Sequence, residues 1–158
     1  MGGDESGRPP RPTRDDYVVW RRATTRWADD DAYGHMNNAI YYELFDTAVN
    51  AHLFEATGVN VRELDAVGVV AETSCRYFRE IGFPDPVDMG LVAERVGRSS
   101  VTYRIGLFQG EDDQAAAEGR FVHVYVASPR DGGGRAVRPI PRVIRDVAER
   151  LCRPDRQA

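Results

Sequence analysis

The chain has 158 residues, of which 42% are hydrophobic and 29% are charged, a composition typical of one globular domain with a single core. The formal net charge of −4 argues against nucleic acid as the main partner. All 21 basic residues are arginine, which excludes Schiff-base and lysine general-base chemistry. No run of 18 apolar residues and no secretory segment is found, so we expect a cytoplasmic protein that does not enter the membrane.

The first predicted elements are a tail, a strand and a long helix. Residues 1–16 lack hydrophobic periodicity and are predicted to form a flexible tail. Residues 17–27 are rich in β-branched and aromatic side chains, which predicts the first strand. From Asn38 to Thr57 apolar residues recur at steps of three and four, which predicts a helix. Asn37 is placed to cap the start of this helix, and Gly58 is placed to end it.

Four more strand patterns and a short helix follow. The strands are predicted over residues 68–81, 87–96, 100–109 and 115–128, and Pro141 is placed to open a terminal helix. No helix separates these strands, so they are predicted to pair antiparallel. The order predicts one α+β domain over residues 17–152, with a five-stranded antiparallel sheet wrapped around one long central helix, and a short tail over 153–158. Free sheet edges favour pairing between copies of the chain.

Three consecutive acids, residues 29–31, come directly before the turn that leads into the long helix. They could form a solvated acidic turn whose charge favours the helix N-terminus. They could also contribute to a transition-metal site of Asp29, Asp31 and His35. The third interpretation is a catalytic site, and it depends on the chemistry of the helix start.

The first amide groups of a helix have no partner within the helix and carry partial positive charge. A carbonyl group placed there is polarised, and the oxyanion formed when it is attacked is stabilised. Asp31 lies seven residues before Asn38, the first residue of the predicted helix. Its carboxylate could attack the same carbonyl or activate water against it. The spacing therefore predicts an acyl-transfer site that needs no serine or cysteine nucleophile.

Other side chains that could carry chemistry have simpler interpretations. Cys75 and Cys152 are too few for a disulfide framework or a zinc site, and they are predicted to be reduced thiols. His52 and His123 fall on apolar faces of a predicted helix and strand, which favours core or dimer contacts. Three possible ligands on a turn, such as Asp29, Asp31 and His35, are common without a metal, and we predict no metal site for this chain.

The motif at the start of the long helix resembles one known family. Residues 27–43 read W-A-D-D-D-A-Y-G-H-M-N-N-A-I-Y-Y-E, which resembles the D-x-D-x-x-G-H-V-N-N-x-x-Y motif of hotdog-fold acyl-CoA thioesterases of the 4-hydroxybenzoyl-CoA thioesterase type. The order of strand, long helix and four strands agrees over residues 17–151. The resemblance implies a hotdog fold and hydrolysis of an acyl-CoA to a free carboxylic acid and coenzyme A, with no other cofactor.

The resemblance also assigns site residues. Asp31 matches the catalytic carboxylate, as nucleophile or general base, and Asn38 matches the residue whose backbone N–H polarises the thioester carbonyl. Tyr41 matches the tyrosine one turn into the helix and, with Asn37, is predicted to bind substrate. His35 matches one branch of the family, where it either takes part in catalysis or shapes the pocket.

A turn between the third and fourth predicted strands carries Arg98, Ser99 and Ser100. Such a turn is either a plain surface turn or a clamp for phosphate groups. The resemblance favours the clamp, since a basic turn near this position binds coenzyme A phosphates in a relative. It further implies a homodimer or homotetramer with active sites at subunit interfaces.

A non-catalytic acyl-binding or regulatory hotdog module is the main alternative function. A hotdog dehydratase or hydratase is disfavoured, because neither an H-F-P nor an N-x-x-H-x-D segment of those enzymes occurs in this chain.

Overall fold

The computed structural model describes residues 7–132 and 134–154, and this part of the chain forms one five-stranded sheet with two α-helices. The elements are β1 Val19–Ala23, α1 Asn38–Thr57, β2 Ala66–Tyr77, β3 Val87–Val96, β4 Ser100–Gln109, β5 Ala117–Ala127 and α2 Arg142–Arg150. Every pair of neighbouring strands is antiparallel, in the order β1-β3-β4-β5-β2. The predicted α+β hotdog architecture is confirmed.

The long helix α1 has the predicted limits because both of its ends are capped. The Asn37 side chain accepts a hydrogen bond from the Ala39 amide at 3.0 Å, and Gly58 ends the helix in the left-handed region with φ of 69°. One stripe of α1 is buried against the sheet, namely Tyr41, Phe45, Ala48, Val49 and Leu53. This stripe makes α1 the central core element.

Phe45 lies directly on the sheet at Gly119 of β5. A Cβ atom at Gly119 would lie 2.5 Å from the Phe45 ring, much closer than carbon atoms approach one another. A glycine at this position therefore lets the helix pack closely on the strand. Phe45 itself is fully buried.

The first and second strands differ from their predicted limits. β1 is shorter than residues 17–27, since Tyr17 packs over the sheet face opposite α1 and Trp27 begins a one-turn 3-10 helix. β2 ends at Tyr77, because the Phe78 and Arg79 amides both donate to the Ala116 carbonyl and the chain leaves the ladder. Both differences follow from long-range contacts.

The N-terminal segment also differs from the predicted flexible tail. Arg11 Nε donates to the Ala115 carbonyl at 2.7 Å, and Arg14 pairs with Asp88 at 3.2 Å. Thr13 forms an isolated bridge with Gln114. From Arg11 onward the chain thus packs on the domain. The rest of the prediction falls in part on residues 1–6 and 155–158, which lie outside the described residues.

The strand β2 lies at one edge of the sheet and determines the geometry of the site. It is 12 residues long, and most of its side chains are at least partly exposed. β2 runs antiparallel to α1, since the Tyr77 hydroxyl donates to the Asn38 side chain at the helix start, whereas Gly68 and Phe54 border one cavity near the helix end. The N-terminus of α1 therefore lies beside the Tyr77 end of β2.

His123 lies on the α1-facing side of β5 and is buried among aromatic rings. Its ring centroid is 4.9 Å from that of Phe121 and 5.9 Å from that of Tyr103. Its Nδ1 atom has no hydrogen-bond partner among the described residues, and only 3% of the residue is exposed. Burial lowers the pKa of His123 to about 4.

We expect the free energy of unfolding to fall as the pH is lowered from about 6.5 to 4. In this window the unfolded chain gains a proton on His123, whereas the folded chain does not. The free energy of unfolding therefore has its full value above the window and falls as the pH is lowered through it. The loss is on the order of 3 kcal/mol. Urea unfolding measured across this pH range tests the prediction. His123→Phe should flatten the slope of the unfolding free energy against pH, and an unchanged slope would contradict the assignment of this proton uptake to His123.

Candidate active site

The three consecutive acids have different environments. Asp29 is buried, and its carboxylate accepts from the Arg26 amide at 2.8 Å and the Arg26 Nε at 2.9 Å. These bonds hold the one-turn helix at Trp27 in place. Asp30 accepts from the Phe83 amide at 3.2 Å and fastens the loop after β2. Asp29 and Asp30 thus have structural partners.

Asp31 is exposed, and the following turn folds around its carboxylate. Oδ1 accepts from the Tyr33 amide at 2.8 Å and from the His35 amide at 3.3 Å, while Gly34 has φ of 81°. The backbone closes the turn through a bond from the Asp31 amide to the His35 carbonyl at 2.8 Å. Oδ2 makes no hydrogen bond with another described residue, so it is available to a substrate or to water.

A cavity of about 700 Å³ lies beside this turn, at the N-terminus of α1. It is lined by Asp31, Tyr33, His35, Met36, Asn38, Tyr41, Tyr77, Phe78, Arg79 and Glu80. Asn38 is the first residue of α1, so its amide N–H has no partner within the helix. Asp31 and Asn38, which the sequence spacing predicted to act together, therefore line one pocket with His35 and Tyr41.

Two of the pocket residues that were not predicted from the sequence contact predicted ones. Tyr77 donates its hydroxyl to the Asn38 side-chain oxygen and packs edge-on against Tyr41, with ring centroids 5.1 Å apart. Glu80 pairs with His35, with Oε2 2.8 Å from Nε2. Burial raises the pKa of both Tyr41 and Tyr77, so both phenols stay protonated and can donate hydrogen bonds at neutral pH. No local spacing signals Tyr77 or Glu80, since they reach the pocket only through the path of β2 along α1.

Asn37 was predicted to bind substrate, but its side chain is used in capping α1. It accepts from the Ala39 amide at 3.0 Å and does not line the pocket. Its own amide donates to the Asp29 carbonyl at 2.8 Å, which ties the helix start to the acidic turn. Asn37 therefore acts on the pocket indirectly, by fixing the end of α1.

We expect Asn37→Ala to lower the free energy of unfolding by about 1 kcal/mol, because the Ala39 amide loses its capping acceptor. Asn37→Asp keeps an acceptor oxygen and serves as the matched control, with a much smaller loss. Chemical unfolding of the three proteins measures the difference. Equal stability of the alanine and aspartate variants would rule out capping as the main role.

The turn that contains Arg98, Ser99 and Ser100 lies at the other end of the sheet. The Ser99 carbonyl accepts from Tyr125 at 2.7 Å, and the Arg98 carbonyl accepts from Ile140 at 2.9 Å. The turn between β3 and β4 and the loop between β2 and β3 necessarily fall at opposite ends of β3. The three residues therefore do not reach the Asp31 pocket of the same chain.

The three candidate metal ligands do not converge, because the Asp29 carboxylate is bound to Arg26. Within residues 7–132 and 134–154, no group of three His, Cys, Asp or Glu side chains is arranged to hold a metal ion. In the same ranges, no helix is both long and apolar enough to cross a membrane.

Comparison with known proteins identifies the family. The model of the Thioesterase-like superfamily matches residues 25–151, which include the acidic turn, α1 and all the later strands. The chain belongs to the Thioesterase-like superfamily. No curated protein sequence matches the chain significantly.

Solved structures show how this superfamily member relates to others. The PA5185 protein of Pseudomonas aeruginosa strain PAO1 is 41% identical, over 92% of this chain and 99% of that one, with a TM-score of 0.84. A thioesterase from Thermus thermophilus, complexed with coenzyme A and Zn, is 26% identical over 84% and 98%, with a TM-score of 0.68. A 1,4-dihydroxy-2-naphthoyl-CoA thioesterase from Synechocystis, 16% identical over 85% and 98%, shares the fold with a TM-score of 0.73.

Proposed function

We propose that this protein is an acyl-CoA thioesterase of the 4-hydroxybenzoyl-CoA thioesterase type, which hydrolyses its substrate to a free carboxylic acid and coenzyme A. One observation carries the proposal: Asp31 and Asn38, the first residue of α1, line the same pocket. A carboxylate beside an oxyanion-stabilising donor can catalyse thioester hydrolysis without a serine or cysteine nucleophile. Membership of the Thioesterase-like superfamily supports the same chemistry.

In the proposed reaction the thioester carbonyl oxygen accepts from the Asn38 amide. Asp31 takes a proton from water as the water oxygen adds to the carbonyl carbon, and the oxyanion is stabilised at the helix start. Collapse of the intermediate breaks the C–S bond, and the proton passes from Asp31 to the departing thiolate. Asp31 could instead attack the carbon directly and form an anhydride that water then opens. Incorporation of labelled solvent oxygen into Asp31 in a single turnover separates the two routes.

We further propose that the enzyme is a homodimer or homotetramer in which β2 pairs with its copy. Among the described residues no other strand pairs with the outer edge of this 12-residue strand, and such an edge is a ready template for pairing. Antiparallel pairing about a two-fold axis brings the turn of Arg98, Ser99 and Ser100 to the pocket end of the other subunit. The three residues can then bind coenzyme A phosphates across the interface, and the coenzyme A complex of the Thermus thermophilus thioesterase supports a coenzyme A substrate.

Thiol release from a panel of short-chain, long-chain and aryl acyl-CoA substrates tests the proposed function. We expect hydrolysis of at least one substrate class, unchanged by a metal chelator because no cofactor is required. Arg98→Ala should raise KM for acyl-CoA more than for a short pantetheine thioester that lacks the distal phosphates. Binding without thiol release on every substrate would instead favour the non-catalytic acyl-binding module.

A further inference from the structure

Residues 11–17, here called the strap, run from the sheet face opposite α1 to the loop between β4 and β5. At one end of the strap, Tyr17 lies on two paired glycines, Gly90 of β3 and Gly106 of β4. A Cβ atom at Gly90 would lie 2.7 Å from the Tyr17 ring, and one at Gly106 would overlap the ring. The Tyr17 hydroxyl donates to the buried Glu118 carboxylate at 2.5 Å. The sheet is therefore shaped to accept the strap.

The other end of the strap is bound to the loop between β4 and β5. The Pro12 carbonyl accepts from the Ala115 amide at 2.8 Å, and Arg11 Nε donates to the Ala115 carbonyl at 2.7 Å. The Arg14 amide donates to the Asp113 carbonyl at 3.0 Å. These hydrogen bonds join the strap and the loop into one unit.

Asp112 of this loop connects the strap to the Asp31 pocket. Its Oδ2 lies 3.5 Å from Arg11 Nη2 and 3.1 Å from Arg79 Nε, the second being an ion pair without an aligned hydrogen bond. Arg79 lines the pocket, and its Nη2 donates to the Gln109 carbonyl at 2.5 Å. The carboxylate that holds one side of the Arg79 guanidinium is thus also bound by the strap.

Phe78 provides a second connection between the strap and the pocket. Its ring lines the Asp31 pocket and also packs in the cluster that contains Tyr17, on the sheet face opposite α1. The Arg11 guanidinium lies over this ring, 5.7 Å from its centroid, which is within the range of an attractive cation–π contact. Arg11 therefore reaches Phe78 directly and Arg79 through the shared acid of the loop.

We propose that Arg11 is a positioning residue of the Asp31 pocket, which holds the wall formed by Phe78 and Arg79 in the shape that binds the thioester. The effect on substrate binding rests on the proposed function. The strap precedes residue 25, at which the match to the Thioesterase-like superfamily begins, so this support lies outside the matched part of the chain. Loss of the support leaves Asp31 and the start of α1 in place, so KM should change rather than kcat.

Steady-state kinetics of Arg11 variants test the effect on binding. The substrate is whichever of acetyl-, octanoyl- and benzoyl-pantetheine the wild-type protein hydrolyses with the highest kcat/KM, since these thioesters lack the distal phosphates of coenzyme A. Arg11→Ala should raise KM at least about fivefold with kcat within about twofold of the wild-type value. Arg11→Lys keeps a positive charge opposite Asp112 and should bring KM back to within about threefold. Arg8→Ala, which removes an exposed arginine just before the strap, is the matched control and should leave KM unchanged.

Hydrogen exchange gives a measurement of the wall that does not depend on turnover. The Phe78 and Arg79 amides both donate to the Ala116 carbonyl, so their exchange rates report how firmly the wall is held. In Arg11→Ala these two amides should exchange at least about threefold faster, while the amides of α1 keep their wild-type rates.

An unchanged KM in Arg11→Ala, or an equal rise of KM in Arg8→Ala, would overturn the inference while leaving the proposed function intact. Faster exchange throughout α1 in Arg11→Ala would mean general loosening of the fold and would also overturn it. Absence of thiol release from these thioesters and from the acyl-CoA panel would refute the proposed function. The exchange rates would then decide the structural part alone: acceleration confined to Phe78 and Arg79 supports the hold of Arg11 on the wall, and unchanged rates refute it.

Discussion

Asp31→Asn is expected to lower kcat for thioester hydrolysis by at least about 10³-fold, with a much smaller change in KM. The asparagine side chain keeps the size and one acceptor oxygen, so the turn bonds to the Tyr33 and His35 amides are retained. It loses the charge and basicity that either route to hydrolysis needs. A fall in kcat with little change in binding therefore separates a chemical role from a structural one.

Two matched variants control this experiment. Glu43→Gln removes an exposed acid of α1 that does not line the pocket, and kcat should stay within about twofold of the wild-type value. Asp29→Asn weakens the bonds to Arg26 and is expected to lower stability before it alters the chemistry. Retention of more than about a tenth of the wild-type kcat by Asp31→Asn would contradict a catalytic role for Asp31.

Elements governed by neighbours in sequence could be predicted, and those governed by distant contacts could not. The limits of α1 follow from its caps, Asn37 and Gly58, which the sequence places next to the periodic run. The limits of β1 and β2 depend instead on where the strands stop pairing, and that is decided by residues far along the chain. The N-terminal segment was misjudged for the same reason, because Arg11 and Arg14 find acceptors about 100 residues away.

The same distinction between sequence neighbours and distant contacts applies to the residues of the candidate site. Asp31 and Asn38 lie in a turn and at the helix start that directly follows it, so the sequence spacing predicted that they come together. Tyr77 and Glu80 enter from the end of β2, and the spacing around them carries no signal. The resemblance assigned the turn at Arg98 to substrate binding. This turn follows β3, whereas the loop beside the pocket precedes β3, so the turn lies away from the pocket of its own chain.

Phe45 and Gly119 provide the second large effect, on stability. Phe45→Ala is expected to lower the free energy of unfolding by about 3–5 kcal/mol, because a fully buried ring leaves a cavity between α1 and the sheet. Gly119→Ala should lower it by about 1–3 kcal/mol, since the added Cβ would lie 2.5 Å from the Phe45 ring and the helix must shift.

The double variant separates this contact from general loosening of the core. In the Phe45→Ala variant the ring that would contact the Cβ at position 119 is absent. Gly119→Ala should therefore lose most of its destabilising effect in that background. Urea unfolding of the four proteins gives the coupling free energy, which we expect to exceed about 1 kcal/mol. Simple addition of the two losses would mean that Gly119 is needed for backbone freedom in β5 rather than for the approach of α1. The depth at which the helix sits on the sheet would then have to be set by other contacts along the buried stripe.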